Sequence, residues 1–125
     1  MGVGMPSGIL LQIFGQIVFE AFGAFPYHVG SSVNNKVWRD VDVRLILPDE
    51  EYENLFGSFN EHTEFLNLKW QSLCLAFSSL GKEMTGLPID FQIQQMTFAN
   101  EKYPIGRSCL DGRGWGQAFK SKEVK

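Results

Sequence analysis

The run WRDVDVRLILP at residues 38–48 constrains this chain more than any other segment. Val41, Val43, Leu45 and Leu47 fall on one parity, and Asp40, Asp42, Arg44 and Ile46 fall on the other. Side chains of an extended chain alternate between two faces, so this period predicts a strand with an apolar inner face. Pro48 cannot donate to a ladder and ends it. Residues 87–93, LPIDFQI, repeat the pattern: Ile89, Phe91 and Ile93 point one way, Asp90, Gln92 and Gln94 the other.

Helical signals surround these strands. Residues 9–25 read ILLQIFGQIVFEAFGAF, with Gln12, Gln16 and Glu20 drawing one polar stripe. Ser7 is placed to cap this helix and Gly23 to end it. The apolar run is shorter than the ~20 residues a membrane span needs, and it lacks the basic start of a secretory signal. An amphipathic helix of a cytoplasmic protein with no membrane partner is the expectation. FPYHVG at 25–30 is aromatic and β-prone and leads into a turn. A short helix with an acidic start is expected over Asp49–Phe59, then a longer one over Glu61–Leu80. In the longer one, Leu66, Trp70, Leu73, Phe77 and Leu80 would form the buried stripe, and Gly81 or Gly86 would close it.

With 125 residues and 44% hydrophobic content, one domain with an ordinary core is expected. Residues 1–105 form that domain in this reading. Residues 106–125, rich in Gly and basic residues, read as a loop or tail. The net charge of −3 gives no general attraction to nucleic acid. Cys74 and Cys109 make neither a CxxC pair nor a disulfide framework, which fits a reducing compartment.

The chemistry rests on carboxylates. Asp40 and Asp42 share a strand face, with side chains roughly 7 Å apart along the chain. Two carboxylates that close repel each other, and a divalent cation between them removes the repulsion. Mg2+ (or Mn2+) suits such a site, because it takes hard oxygen ligands and keeps several waters. If the two strands are neighbours, Asp90 joins the pair. Just upstream, Gly30 and Ser31 form a turn where backbone N–H groups and a hydroxyl can approach phosphate oxygens.

VGSS at 29–32, DVDV at 40–43 and IDF at 89–91 together resemble the signature of the DNA polymerase beta-like nucleotidyltransferase superfamily. WRDVDVRLIL, GLPIDFQIQ and ANEKYP are similar to text found in its small phage and bacterial members. The resemblance implies a minimal α+β nucleotidyltransferase fold: a short mixed sheet with helices packed mainly on one face. It implies that Gly30, Ser31 and Ser32 hold the triphosphate and that Asp40, Asp42 and Asp90 ligate the metal. The implied reaction moves a nucleoside monophosphate from an NTP such as ATP to an acceptor hydroxyl on a protein, an RNA or a small molecule. A partner or a second subunit of a homo-oligomer would grip the acceptor. The chain departs from the pattern at Val33, Asn34 and Asn35, where many members carry a further glycine, and at Arg39, where many carry serine. Lys36, Arg39 or Arg44 would supply compensating positive charge. A catalytically silent nucleotide-binding or interaction module, and a metal-dependent phosphohydrolase, are the alternatives.

Other residues have an ordinary reading beside a functional one. His28 is a strand-end histidine or a phosphate contact, and His62 has no evident ligand partner. Trp38 anchors its strand or stacks on a base. Trp70 and Cys74 read as core. Gln92 and Gln94 share the parity of Asp90 and either line its cleft or are solvated. Arg107, Arg113 and Trp115 belong to a packing tail or an RNA contact.

Overall fold

A computed structural model describes residues 5–30, 40–104 and 106–112. Its elements, in chain order, are α1 (Met5–Phe22), β1 (Tyr27–Val29), β2 (Val41–Leu47), α2 (Asp49–Phe56), α3 (Leu68–Thr85), β3 (Ile89–Gln95), α4 (Met96–Lys102) and β4 (Ser108–Cys109). The four strands form one mixed sheet in the order β3-β2-β1-β4. β1 runs antiparallel to β2 and β4, and β2 runs parallel to β3. The fold class is α+β. A parallel pair needs a long crossover, and α2 and α3 supply it.

The period-two segments become the sheet's centre. Val41, Val43, Leu45, Leu47, Phe91 and Ile93 are almost fully buried and meet Leu11, Phe14 and Val18 of α1 with Trp70 and Cys74 of α3. Phe14 and Phe91 pack edge to face at 6.1 Å. Gly81 lies inside α3, where a Cβ would stand 3.1 Å from both Ile89 and Phe14, so its small size lets three elements approach. Gly86, at φ 74°, ends the helix by donating its N–H to the Lys82 carbonyl at 2.8 Å.

Several expectations about the helices are corrected. Ser7 does not cap α1; it lies within the first turn and donates to the Thr85 carbonyl at 3.4 Å. α2 stops at Phe56, where Gly57 adopts φ 87°. α3 begins at Leu68, because the Asn67 side chain accepts from the Trp70 N–H and starts the helix after a 3₁₀ turn at Glu64–Leu66. Its buried residues are Trp70, Cys74, Gly81 and Thr85; Trp70, Leu73 and Phe77 of the expected stripe pack in or against the core, while Leu66 and Leu80 are exposed. In α1, Gln12 leaves the polar stripe: it is buried and accepts the Gly112 N–H at 2.7 Å.

That last bond ties Gly112 to α1. β4 joins the sheet, Leu110 is buried in the core, and the Leu110 N–H donates to the Pro26 carbonyl at 2.9 Å. Residues 106–112 thus pack on the domain, and β4 lies within the stretch read as a loop or tail.

β3 is an outer strand, and α3 seals its open backbone. The Trp70 Nε1–H donates to the Ile93 carbonyl at 2.8 Å. Ser78 Oγ accepts from the Phe91 N–H at 2.8 Å and donates to the Phe91 carbonyl at 3.5 Å. Cys74, between them on the same stripe, takes the Ile93 N–H. Three side chains one turn apart thereby satisfy groups that would otherwise recruit another strand. Burial pushes the Cys74 thiol up to about 12, so it is a packing residue and not a nucleophile.

Candidate functional site

The polar parity of β2 and β3 lies opposite the buried side chains of the core. Parallel pairing sets Asp42 directly beside Asp90 and Arg44 beside Gln92. Two of the three aspartates are therefore adjacent on one face because two distant segments share a register. Asp40 lies one residue before β2 and is exposed. Its charge still reaches Asp42. Among the described residues, no three His, Cys, Asp or Glu side chains converge on a common ion position.

Arg44 lies across the pair. Its Nη2 is 3.3 Å from Asp90 Oδ2 and 3.7 Å from Asp42 Oδ1, and its Nη1 donates to the Asp90 carbonyl at 2.6 Å and the Val43 carbonyl at 3.2 Å. Its side chain is only 15% exposed. Burial pushes the Asp42 carboxyl above its usual range. Arg44 opposes that shift, while Asp90 and Asp40 add to it. The site thus holds more negative charge than one guanidinium compensates.

Gly30 completes this corner. Val29 pairs with Asp42 across β1 and β2, and the chain turns at Gly30 with φ 84°. A Cβ at Gly30 would stand 2.5 Å from Asp42 Oδ2. The turn needs glycine twice, for its conformation and for the approach of the carboxylate. Ser31, Ser32, Lys36, Trp38 and Arg39 lie outside the described residues.

From this corner a groove of about 580 Å³ runs along the sheet. Asp42, Arg44, Gln92 and Gln94 form its floor, with Val29 and Ile46 as the apolar part. Lys102, Tyr103, Pro104 and Arg107 form the opposite wall. Gln92 and Gln94 line the cleft, whereas Asp90 borders a smaller depression toward Trp70 and Ser78. Arg107 donates to the Ala99 carbonyl at 3.1 Å and the Tyr103 carbonyl at 2.9 Å, at the end of α4, and lies 6.0 Å above the Tyr27 ring. Lys102 and Tyr103 are exposed.

The wall depends on α4. Asp49 accepts the Thr97 N–H at 3.0 Å and the Thr97 hydroxyl at 2.5 Å, and Gln95 accepts the Phe98 N–H at 3.3 Å. Those two bonds from Thr97 hold the Asp49 carboxyl below its usual range. Sequence reasoning missed the wall as a unit. Arg107 and the run ANEKYP were each singled out, but nothing in the linear pattern joined them; Gln95, two residues past the predicted strand, is the capping residue that starts α4.

His28 belongs elsewhere. It pairs with Val43, whose side chain is in the core, so it points to the helix-covered face and away from the carboxylates. Burial lowers its pKa, so the neutral ring is favoured. His62 is exposed in a turn beside Glu61 at 3.6 Å.

Asp42 and Asp90 are donors of the hard oxygen type. Two carboxylates in register offer oxygen ligands on an open face, and an ion such as Mg2+ fills its other positions with water or phosphate. No helix among the described residues is long and apolar enough to cross a membrane. No family model, no curated protein and no solved structure matches the chain.

Proposed function

We propose that this chain is a nucleotidyltransferase-like protein that binds a nucleoside triphosphate with a divalent cation and passes the nucleoside monophosphate to an acceptor hydroxyl. The carrying observation is that Asp42 and Gly30 form one corner of a groove whose other lining includes Arg44, Lys102 and Arg107, with Asp90 paired beside Asp42 on the neighbouring strand. Carboxylates for a cation, beside cations for an anion, are what a metal–triphosphate complex requires.

Each residue has a separable task in this reading. Asp42 and Asp90 would hold the ion, with Asp40 at the mouth of the site. When bound, the ion withdraws charge from the departing pyrophosphate and lowers the pKa of the attacking hydroxyl. Gly30 keeps the backbone thin where the phosphates pass. Lys102 and Arg107 offset phosphate charge along the wall. Tyr103 offers an exposed ring against which a base can stack, and Gln92 and Gln94 offer amides to its edge.

Calorimetric titration with Mg2+ and each NTP, followed by transfer of label from α-labelled NTP across protein, RNA and small-molecule acceptors, tests the proposal. Saturable binding plus a labelled acceptor supports it. Absence of binding for all four NTPs rejects it. Label released only to water points to hydrolysis instead.

One observation favours a second reading. Arg44 already neutralises part of the Asp42–Asp90 charge, as suits a catalytically silent nucleotide-binding module. Binding without transfer to any acceptor would identify it.

A further inference from the structure

We propose that Arg44 is a built-in counter-cation that competes with the divalent ion for Asp42 and Asp90, so that the ion enters together with the nucleotide and not before it. The inference rests on the nucleotide-binding reading above and concerns the order in which that site fills.

The geometry is specific. The guanidinium reaches both carboxylates with one nitrogen, at 3.3 and 3.7 Å, and is tied to the backbone by the other through the Asp90 and Val43 carbonyls. It is therefore seated on the strand pair, unlike a surface arginine that samples solvent. A divalent ion approaching the same oxygens meets this fixed positive charge and must share or displace it. The neighbouring charge also makes the pair tolerable without any ion, because two carboxylates side by side otherwise repel.

Triphosphate changes that balance. Arg44 and Lys102 both line the groove, so phosphate oxygens in the groove give the guanidinium an alternative anion. Phosphate also brings its own oxygen ligands to the ion. Both effects raise cation affinity only when nucleotide is present, which makes the coupling reciprocal.

Mn2+ binding followed by electron paramagnetic resonance provides the test, on the full chain with and without ATP. The wild-type protein should bind free Mn2+ weakly and Mn2+ with ATP much more tightly. Arg44→Gln keeps a polar side chain and removes the charge; its nucleotide-free Mn2+ affinity should rise by about tenfold or more, the effect expected of a charge at this distance. Arg44→Lys, which keeps the charge, should show no such rise. Should Arg44→Gln fail to fold, the wild-type chain alone decides: equal Mn2+ affinity with and without ATP overturns the inference. So does an unchanged nucleotide-free affinity in a folded Arg44→Gln. A chain that binds no Mn2+–ATP in any variant instead rejects the underlying nucleotide-binding reading, and the inference falls with it.

Discussion

Gly30 sits so close to Asp42 that a single methyl group on its α-carbon would stand 2.5 Å from the carboxylate oxygen. The turn that ends β1 and the charge on β2 are therefore one structural unit. Gly30→Ala should cost about 1–2 kcal/mol through its left-handed backbone and should push the Asp42 carboxylate out of place. Chemical denaturation measures the first effect and titration with Mg2+ and ATP the second. Full stability together with full affinity would show that the turn is not as described.

Asp42→Asn should separate stability from binding. Because the folded state raises the pKa of Asp42, its ionised form is disfavoured there relative to the unfolded chain. The stability linked to this group is present below the unfolded pKa of 3.8 and is lost as pH rises through the folded value. At neutral pH the charge is therefore a small liability, held under about 1 kcal/mol by solvent screening. The variant should melt at the same temperature or slightly higher while losing metal-dependent triphosphate binding. A clear loss of melting temperature would contradict the direction of the shift.

His28 predicts an acid limb in the stability profile. Burial holds its folded pKa below the ordinary value of 6.5, so the neutral ring is stabilised by folding. This contribution is complete above the unfolded pKa and is lost as pH falls from 6.5 through the folded value. The melting temperature of wild type should decline over that window more than that of His28→Gln. Parallel profiles for the two proteins would remove His28 as the cause.

Gly15 predicts how the C-terminal segment is held. A Cβ at this point of α1 would stand 2.2 Å from the Leu110 carbonyl oxygen and 2.6 Å from its Cβ. Backbone cannot rotate away, so Gly15→Ala should destabilise by about 1–3 kcal/mol and loosen the Leu110–Gly112 contacts. Hydrogen exchange at the Leu110 and Gly112 amides reads this directly, since they donate to Pro26 and Gln12. Undisturbed protection at both amides would mean that the segment does not cross α1 there.

Trp70 tests the sealing of the outer strand. Trp70→Phe keeps much of the ring but leaves the Ile93 carbonyl without its 2.8 Å donor. A loss of about 1–3 kcal/mol is expected for a buried acceptor left unsatisfied. Light scattering on heating should also show earlier association, as β3 becomes available for pairing. A variant as stable and as monodisperse as wild type would show that the indole bond contributes nothing.

Alternation alone was enough to place Val41, Val43, Leu45, Leu47, Ile89, Phe91 and Ile93 in the core, because a strand's faces are set by local backbone geometry. The same parity put Asp42 and Asp90 on the outer face, and Gly30 was marked as a turn by its residue type. Local pattern could not supply register. That Asp42 meets Asp90 follows from how two segments separated by α2 and α3 align, beside a close contact of Gly81 with Phe14 and Ile89. Arg44 read from sequence as one of three interchangeable cations; only the neighbouring strand gives its guanidinium two carboxylates and the Asp90 carbonyl to bind. Gln12 likewise looked solvated, but it is buried and accepts the Gly112 N–H. Faces are local properties of a backbone, whereas partners are long-range ones, and the candidate site consists mostly of partners.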